Sequence, residues 1–137
     1  MNADEENEAA DEAELLEWVA YAEEDFITAK EGLERSTPLL LTACFHSQQC
    51  AEKYLKALLV FKDVYFPKTH DLLTLDMICG EAGIFTGIPK ERFAELSKHA
   101  VRTRYPGRQP IPEAAQEAFE IAAEVRKFAR TFLGLEK

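Results

Sequence analysis

Two groups of residues in this chain have the types and spacing to do chemistry. The first is the run Lys98–Arg108, KHAVRTRYPGR, which holds Lys98, Arg102, Arg104 and Arg108 with His99 and Tyr105 and no acid. Arginine forks grip phosphate bidentately, and a tyrosine ring offers a face on which a base stacks. The same run also reads as an interhelix loop whose arginines pair with glutamates or cap carbonyls. The second group is His46–Leu59, HSQQCAEKYLKALL. Gln48, Glu52 and Lys56 recur there at steps of four, so they share a helix face, with Gln49 and Lys53 flanking it. Cys44, Ala51, Leu55 and Leu58 form an apolar stripe beside them. The polar stripe is either a solvated face with a Glu-to-Lys pair or a seam at a groove or helix–helix interface, where buried amides need partners. His70, between Thr69 and Asp71, is either part of a helix start or a proton-transfer group near neutral pH.

These groups combine into one expected site. Arg104 and Tyr105, with Arg102 in the same run, meet His70 and the exposed end of the seam, Gln49 and Lys53, across a groove that takes an anionic ligand. Pro106 biases Tyr105 away from helical geometry, so its ring projects from a helix end. His70 and Arg104 are the candidates for any catalysis.

Other chemistries lack their signatures. There is no G-x-x-x-x-G-K-[ST], no G-x-G-x-x-G, no H-E-x-x-H and no serine-centred nucleophile elbow. Cys44, Cys50 and Cys79 are odd in number and form no C-x-x-C, which reads as reduced, mostly buried thiols of a cytoplasmic protein. His46, His70 and His99 have no Cys or His partner at ligand spacing, so no metal and no cofactor is expected. The formal charge of −9 over 137 residues is uneven: residues 1–14 carry seven acids and no Lys or Arg, leaving −2 for the rest. Residues 1–12 therefore read as an acidic, disordered leader, and 13–137 as one helical domain. No secretory leader is expected, and no run approaches the ~18 apolar residues of a membrane span.

The elements that must position these groups are helical. Leu15, Trp18, Val19, Ala22, Phe26, Ala29 and Leu33 recur at steps of three and four from Asp11 onward. Thr37 and Pro38 are suited to cap and start a second helix, which runs to about Phe61. Residues 62–68 connect, and Pro67 forbids a central strand there. Thr69 reads as the cap of a third helix, with Asp71 in its first turn and Leu72, Leu75, Ile78 and Cys79 on its apolar face. A fourth helix starts at Pro89 and carries Phe93, Leu96 and Ala100. The last starts near Pro112 with Ala115, Ala118, Ala122, Val125, Ala129 and Phe132 as its core stripe, acids first and bases last, as the helix dipole favours. The expected fold class is all-α: a single-domain, antiparallel up-and-down bundle of four to five helices.

Three motifs in order, Gln48-Gln49-x-x-Glu52-Lys53-x-x-Lys56-Ala57, Thr69-His70-Asp71-Leu72-x-x-Leu75 and Arg104-Tyr105-Pro106, resemble the HEPN (higher eukaryotes and prokaryotes nucleotide-binding) domain family. Trp18, Ala22, Asp25 and Ala29 resemble its first helix, so the likeness covers about residues 14–135. The resemblance implies a helical bundle that pairs as a homodimer, with a groove between its long helices. It also implies nucleotide or RNA binding and, in many prokaryotic systems, a minimal nucleotidyltransferase partner in a toxin–antitoxin pair. Many branches cleave RNA without metal, using an Arg followed four to six residues later by a His. Here no His follows Arg102, Arg104 or Arg108. Such cleavage needs a base for the 2′-hydroxyl and a cation for the phosphorane. The departure favours a binding subunit over a ribonuclease toxin with an altered site, with a dimeric helical scaffold as the remaining reading.

Overall fold

A computed structural model describes residues 2–101, 107 and 109–135. Its helices are α1 (Ala3–Glu34), α2 (Leu40–Phe61), α3 (Leu72–Glu81), α4 (Lys90–Ser97) and α5 (Pro112–Phe132), with a 3-10 turn at Lys98–Ala100. No strand occurs among the described residues. Contacts give the directions. Trp18 meets Lys56 while Asp25 meets His46, so α1 and α2 are antiparallel. Phe26 stacks on Phe119 while Glu23 pairs with Arg126, so α5 also opposes α1. Arg92 reaches Glu124 at 2.6 Å, while His99 lines a small crevice with Ala114, so α4 opposes α5. The result is the up-and-down bundle of α1, α2, α4 and α5, with α3 as a short link.

At the centre lies α2. Ala51, Tyr54, Leu55, Leu58 and Leu59 are fully buried there. Leu72, Leu75 and Cys79 of α3, Phe93 and Leu96 of α4, and Ala115, Ile121, Ala122 and Val125 of α5 close around it. Two expected core positions fall elsewhere: Phe132 is 37% exposed, and Ala100 is half-buried in the 3-10 turn. Trp18 and Phe26 flank the core rather than fill it, Trp18 edge-on to Phe66.

Helix ends depart from expectation for local reasons. The acidic segment read as a disordered leader is helical from Ala3. Asn2 and Glu5 form a reciprocal capping box, with Glu5 N–H donating to Asn2 Oδ1 at 2.9 Å. Asp4, Glu5 and Glu6 sit in the first turn, where the helix dipole favours acids, and Ala and Glu are strong helix formers. α2 has no side-chain cap at Thr37: its N-cap is Leu39, whose N–H is taken by Gly32 O at 2.9 Å. Asp71, not Thr69, caps α3. Its carboxylate accepts from Leu73 N, while Thr69 Oγ1 accepts the Asp71 N–H one step earlier. α2 ends with Val64 N–H on Leu59 O and Asp63 N–H on Val60 O, which places Asp63 at φ 56°. That left-handed position usually holds glycine, as at Gly134 after α5.

Candidate functional site

The polar stripe of α2 is buried. Gln48, Glu52 and Lys56 are 0%, 3% and 7% exposed. Helical spacing puts their side chains in contact, and each cost of burial has a partner. Glu52 Oε2 accepts from Lys56 Nζ at 2.9 Å, and its Oε1 accepts from Gln48 Nε2 at 3.3 Å. The same Oε1 lies 2.9 Å from His70 Nδ1. Gln48 Nε2 also donates to His70 O at 2.9 Å, and Gln49 Nε2 donates to Gln48 Oε1 at 2.7 Å. Lys56 lies over the Trp18 ring at 5.5 Å, which adds a cation–π contact. The adjacent glutamines are thus explained: one amide satisfies the other, and the pair holds the loop before α3.

His70 is the exposed end of this network. Its side chain is 70% exposed, against 4% for Glu52. A carboxylate only accepts, so Nδ1 carries the proton toward Glu52. In the neutral ring, Nε2 is then the nitrogen with the lone pair. This is the arrangement that orients an imidazole for proton transfer.

A second half-buried stripe runs alongside: His46, Gln49 and Lys53. Asp25 of α1, 7% exposed, faces it. Its Oδ1 lies 2.7 Å from His46 Nδ1, and its Oδ2 accepts from Lys53 Nζ at 2.6 Å. Lys53, expected at the open groove, therefore has its ammonium engaged by α1. Asp25 and His46 had no assigned role in the expected site. The signal for Asp25 was an acid inside the apolar stripe Trp18, Ala22, Ala29 of an otherwise amphipathic helix.

The basic run starts next to the first turn of α3. Ser97 Oγ accepts the Leu72 N–H at 3.0 Å, tying the last residue of α4 to the first turn of α3. Lys98 follows at once, and its Nζ donates to Glu95 Oε1 at 2.7 Å. Arg102, Arg104, Tyr105 and Arg108 lie outside the described residues. Of the expected site, Gln49 and His70 are joined through Gln48, and Lys53 stands one turn away on its own acid.

The far side of α2 carries a different polar assembly. Arg126 forks onto Glu23 at 2.7 and 2.9 Å, and Tyr54 Oη donates to the same carboxylate. Arg130 Nη1 approaches Tyr54 Oη at 3.3 Å, and Arg126 stacks 4.5 Å from the Phe26 ring centre. Burial pushes the Glu23 carboxyl up, but hydrogen bonds from Arg126 and Tyr54 and the charges of Arg126 and Arg130 hold it below its ordinary range. Burial raises the Tyr54 hydroxyl, and Glu23 adds to that rise. Cys44, Cys50 and Cys79 are buried and are not disulfide-bonded. Burial pushes Cys50 far up and Cys79 to about 12, so neither is a thiolate nucleophile near neutral pH. Among the described residues, no three His, Cys, Asp or Glu side chains form a metal-binding group. No helix among them is long and apolar enough to cross a membrane.

Comparison with known proteins follows the same lines. The family model described as "HEPN domain" matches residues 15–132. The crystal structure of TT1696 from Thermus thermophilus is similar with a TM-score of 0.67 at 23% identity, over 85% of this chain and 96% of that one. The structure of ST0689, an archaeal HEPN homologue, is similar with a TM-score of 0.64 at 22% identity, over 87% and 97%. No protein of curated function matches the sequence. At these identities the two structures speak for the fold, while the family match spans most of the chain: the protein belongs to the HEPN domain family.

Proposed function

We propose that this HEPN chain is a nucleotide- or RNA-binding subunit that pairs as a C2 homodimer and works beside a minimal nucleotidyltransferase in a cytoplasmic, toxin–antitoxin-like pair. One observation carries the binding reading: the Ser97–Leu72 hydrogen bond brings the start of the acid-free basic run to the first residue of α3, two residues after His70. Gln49, Lys53 and His70 then form one wall of the site, and Arg102, Arg104 and Tyr105 belong to the other. The described wall is close to charge-balanced, with Asp25 against Lys53 and Glu52 against Lys56. Affinity for an anion therefore rests on the arginines. Titration of nucleotides and short RNA against wild type, Arg104→Ala and Tyr105→Ala tests this. Binding should fall in both variants and weaken with salt. Equal affinity in all three points to a scaffold instead. Light scattering at micromolar concentration tests the dimer, and a monomeric mass removes it.

A second reading has its own support. The Glu52–His70 pair is arranged as a base held by a carboxylate, which a ribonuclease needs for the 2′-hydroxyl. In that reading Arg104 is the cation at the phosphorane. RNA cut without added metal by wild type, and left intact by a folded His70→Ala variant, moves the assignment to a ribonuclease.

A further inference from the structure

The first turns of α1 lie at the edge of the bundle. The described side chains over residues 3–14 are exposed. Asp4, Glu8 and Glu12 follow at steps of four, so like charges stack along the helix and repel. A helix so polar and so little packed is marginal unless something lies against it. One face of it is shaped for that. Glu8, Asp11, Glu12, Leu15 and Leu16 follow at helical spacing and form one wall of a cleft of about 410 Å³. Val60 and Phe61 at the end of α2, with Leu133 and Leu135 beyond α5, supply the rest of its apolar floor. Asp63 lines it as well, and among the described residues no basic side chain does. Leu16 and Phe61 are 48% and 51% exposed. Phe61 meets Phe132 edge-on at 5.9 Å, and Phe132 stacks on Phe128, so the apolar surface continues onto α5.

We infer that this cleft docks a short basic amphipathic helix of a partner protein, its apolar stripe on the floor and its Lys or Arg residues against Glu8, Asp11, Glu12 and Asp63. Charge selects the occupant. An uncharged apolar segment would take the four carboxylates out of water with no counter-charge. A second copy would bring the same acids onto themselves, because a C2 interface joins identical patches. A nucleic acid is repelled outright. A cationic helix satisfies the rim and also relieves the repulsion along α1. Glu8 to Leu16 spans about 12 Å of helix, enough for roughly two to three turns of partner. The site is separate from the nucleotide-binding reading and stands or falls without it.

The probe is a fluorescent Leu/Lys peptide with leucines at positions i, i+3, i+4 and i+7, titrated against the full chain by anisotropy. A peptide of the same composition with scrambled order is the control. The amphipathic peptide should bind about tenfold tighter than the scrambled one. The triple charge reversal Glu8→Lys, Asp11→Lys, Glu12→Lys should weaken it about tenfold, and Phe61→Ala, which removes a surface ring, by several-fold. Equal binding of the two peptides overturns the proposal, since charge alone would then suffice. Undiminished binding by both variants overturns it as well. Sedimentation of Phe61→Asp adds a further check: unchanged mass supports a partner, and a fall in mass assigns the surface to a second copy instead.

Discussion

Two polar assemblies sit on opposite sides of α2, and both are built around a glutamate. Glu52 holds Lys56, Gln48 and His70, while Glu23 holds Arg126 and Tyr54 with Arg130 close by. In each, both oxygens of the acid have hydrogen-bond partners. They differ in where the chain of contacts ends. The Glu23 cluster ties α1, α2 and α5 to one another, and no side chain in it is more than a quarter exposed. The Glu52 network ends in a histidine with 70% of its side chain in solvent and one ring nitrogen uncommitted to Glu52. A buried charge network with an exposed end can pass an interaction outward; a closed one can only hold.

The largest effect should come from removing the acid at the deeper of the two. Glu52→Ala leaves Lys56, whose side chain is 9% exposed, without its counter-charge and strips Gln48 of an acceptor. Breaking a buried pair in this way costs about 3 kcal/mol. Urea denaturation measures it, and a loss below about 1 kcal/mol would mean that Lys56 swings to solvent and that the network is less enclosed than its geometry indicates.

The closed cluster should give less. Glu23 has a quarter of its side chain in solvent, so water screens the loss, and Glu23→Gln should cost about 1 to 2 kcal/mol. Its pH signature is specific. The Glu23 carboxyl is held below its ordinary range near 4.5, so the folded protein keeps it ionised where the unfolded chain binds a proton. That stabilisation is complete above the ordinary value and is lost as pH falls through the lowered one. Wild type should therefore lose stability relative to Glu23→Gln below about pH 4.5. Parallel acid profiles for the two proteins would remove Glu23 from the acid response.

At the exposed end the balance reverses, with a small effect on stability and a large one on ligand. His70→Ala should cost under about 1 kcal/mol, because Glu52 keeps Lys56 and Gln48. If His70 faces the ligand, nucleotide affinity should fall about tenfold. Calorimetric titration beside thermal melting separates the two. A large stability loss with unchanged affinity would make His70 a structural residue and dissolve the contrast with Glu23.

How far the sequence reaches follows from the same comparison. Helical periodicity and the positions of Pro38, Pro89 and Pro112 are local properties, and they placed α2 to α5 within a few residues. Burial of Gln48, Glu52 and Lys56 was one of two readings of a single pattern. Only the arrival of His70 from eighteen residues away decides it. Asp25 was visible as an acid in an apolar stripe, yet its partners lie on another helix, so its role needed the α1–α2 register. The Glu23–Arg126 fork joins residues 103 apart and has no local signal at all. The acidic segment misled for the opposite reason: composition pointed to a coil, while the Asn2–Glu5 box and a run of good helix formers gave helix.

That segment supplies the smallest expected effect, and it tests the rule from the side of charges that lie in solvent. Asn2→Ala removes the side-chain acceptor of the Glu5 N–H and leaves only the reciprocal bond, in which the backbone N–H of residue 2 donates to Glu5 Oε2. Loss of such a cap costs the helix about 1 kcal/mol locally. The turns it supports touch little of the bundle, so fraying them should expose almost no apolar surface. Global stability by urea denaturation should then stay within about 0.3 kcal/mol of wild type, while far-UV ellipticity drops and amides over residues 3–14 exchange faster. Saturating the cleft with the basic amphipathic peptide should restore both signals in Asn2→Ala, because a bound cationic helix stabilises this segment without the cap. A fall in the urea midpoint comparable to that of Glu23→Gln would show that the segment folds as one unit with the bundle. Its acids would then have to be counted with those that hold the helices together.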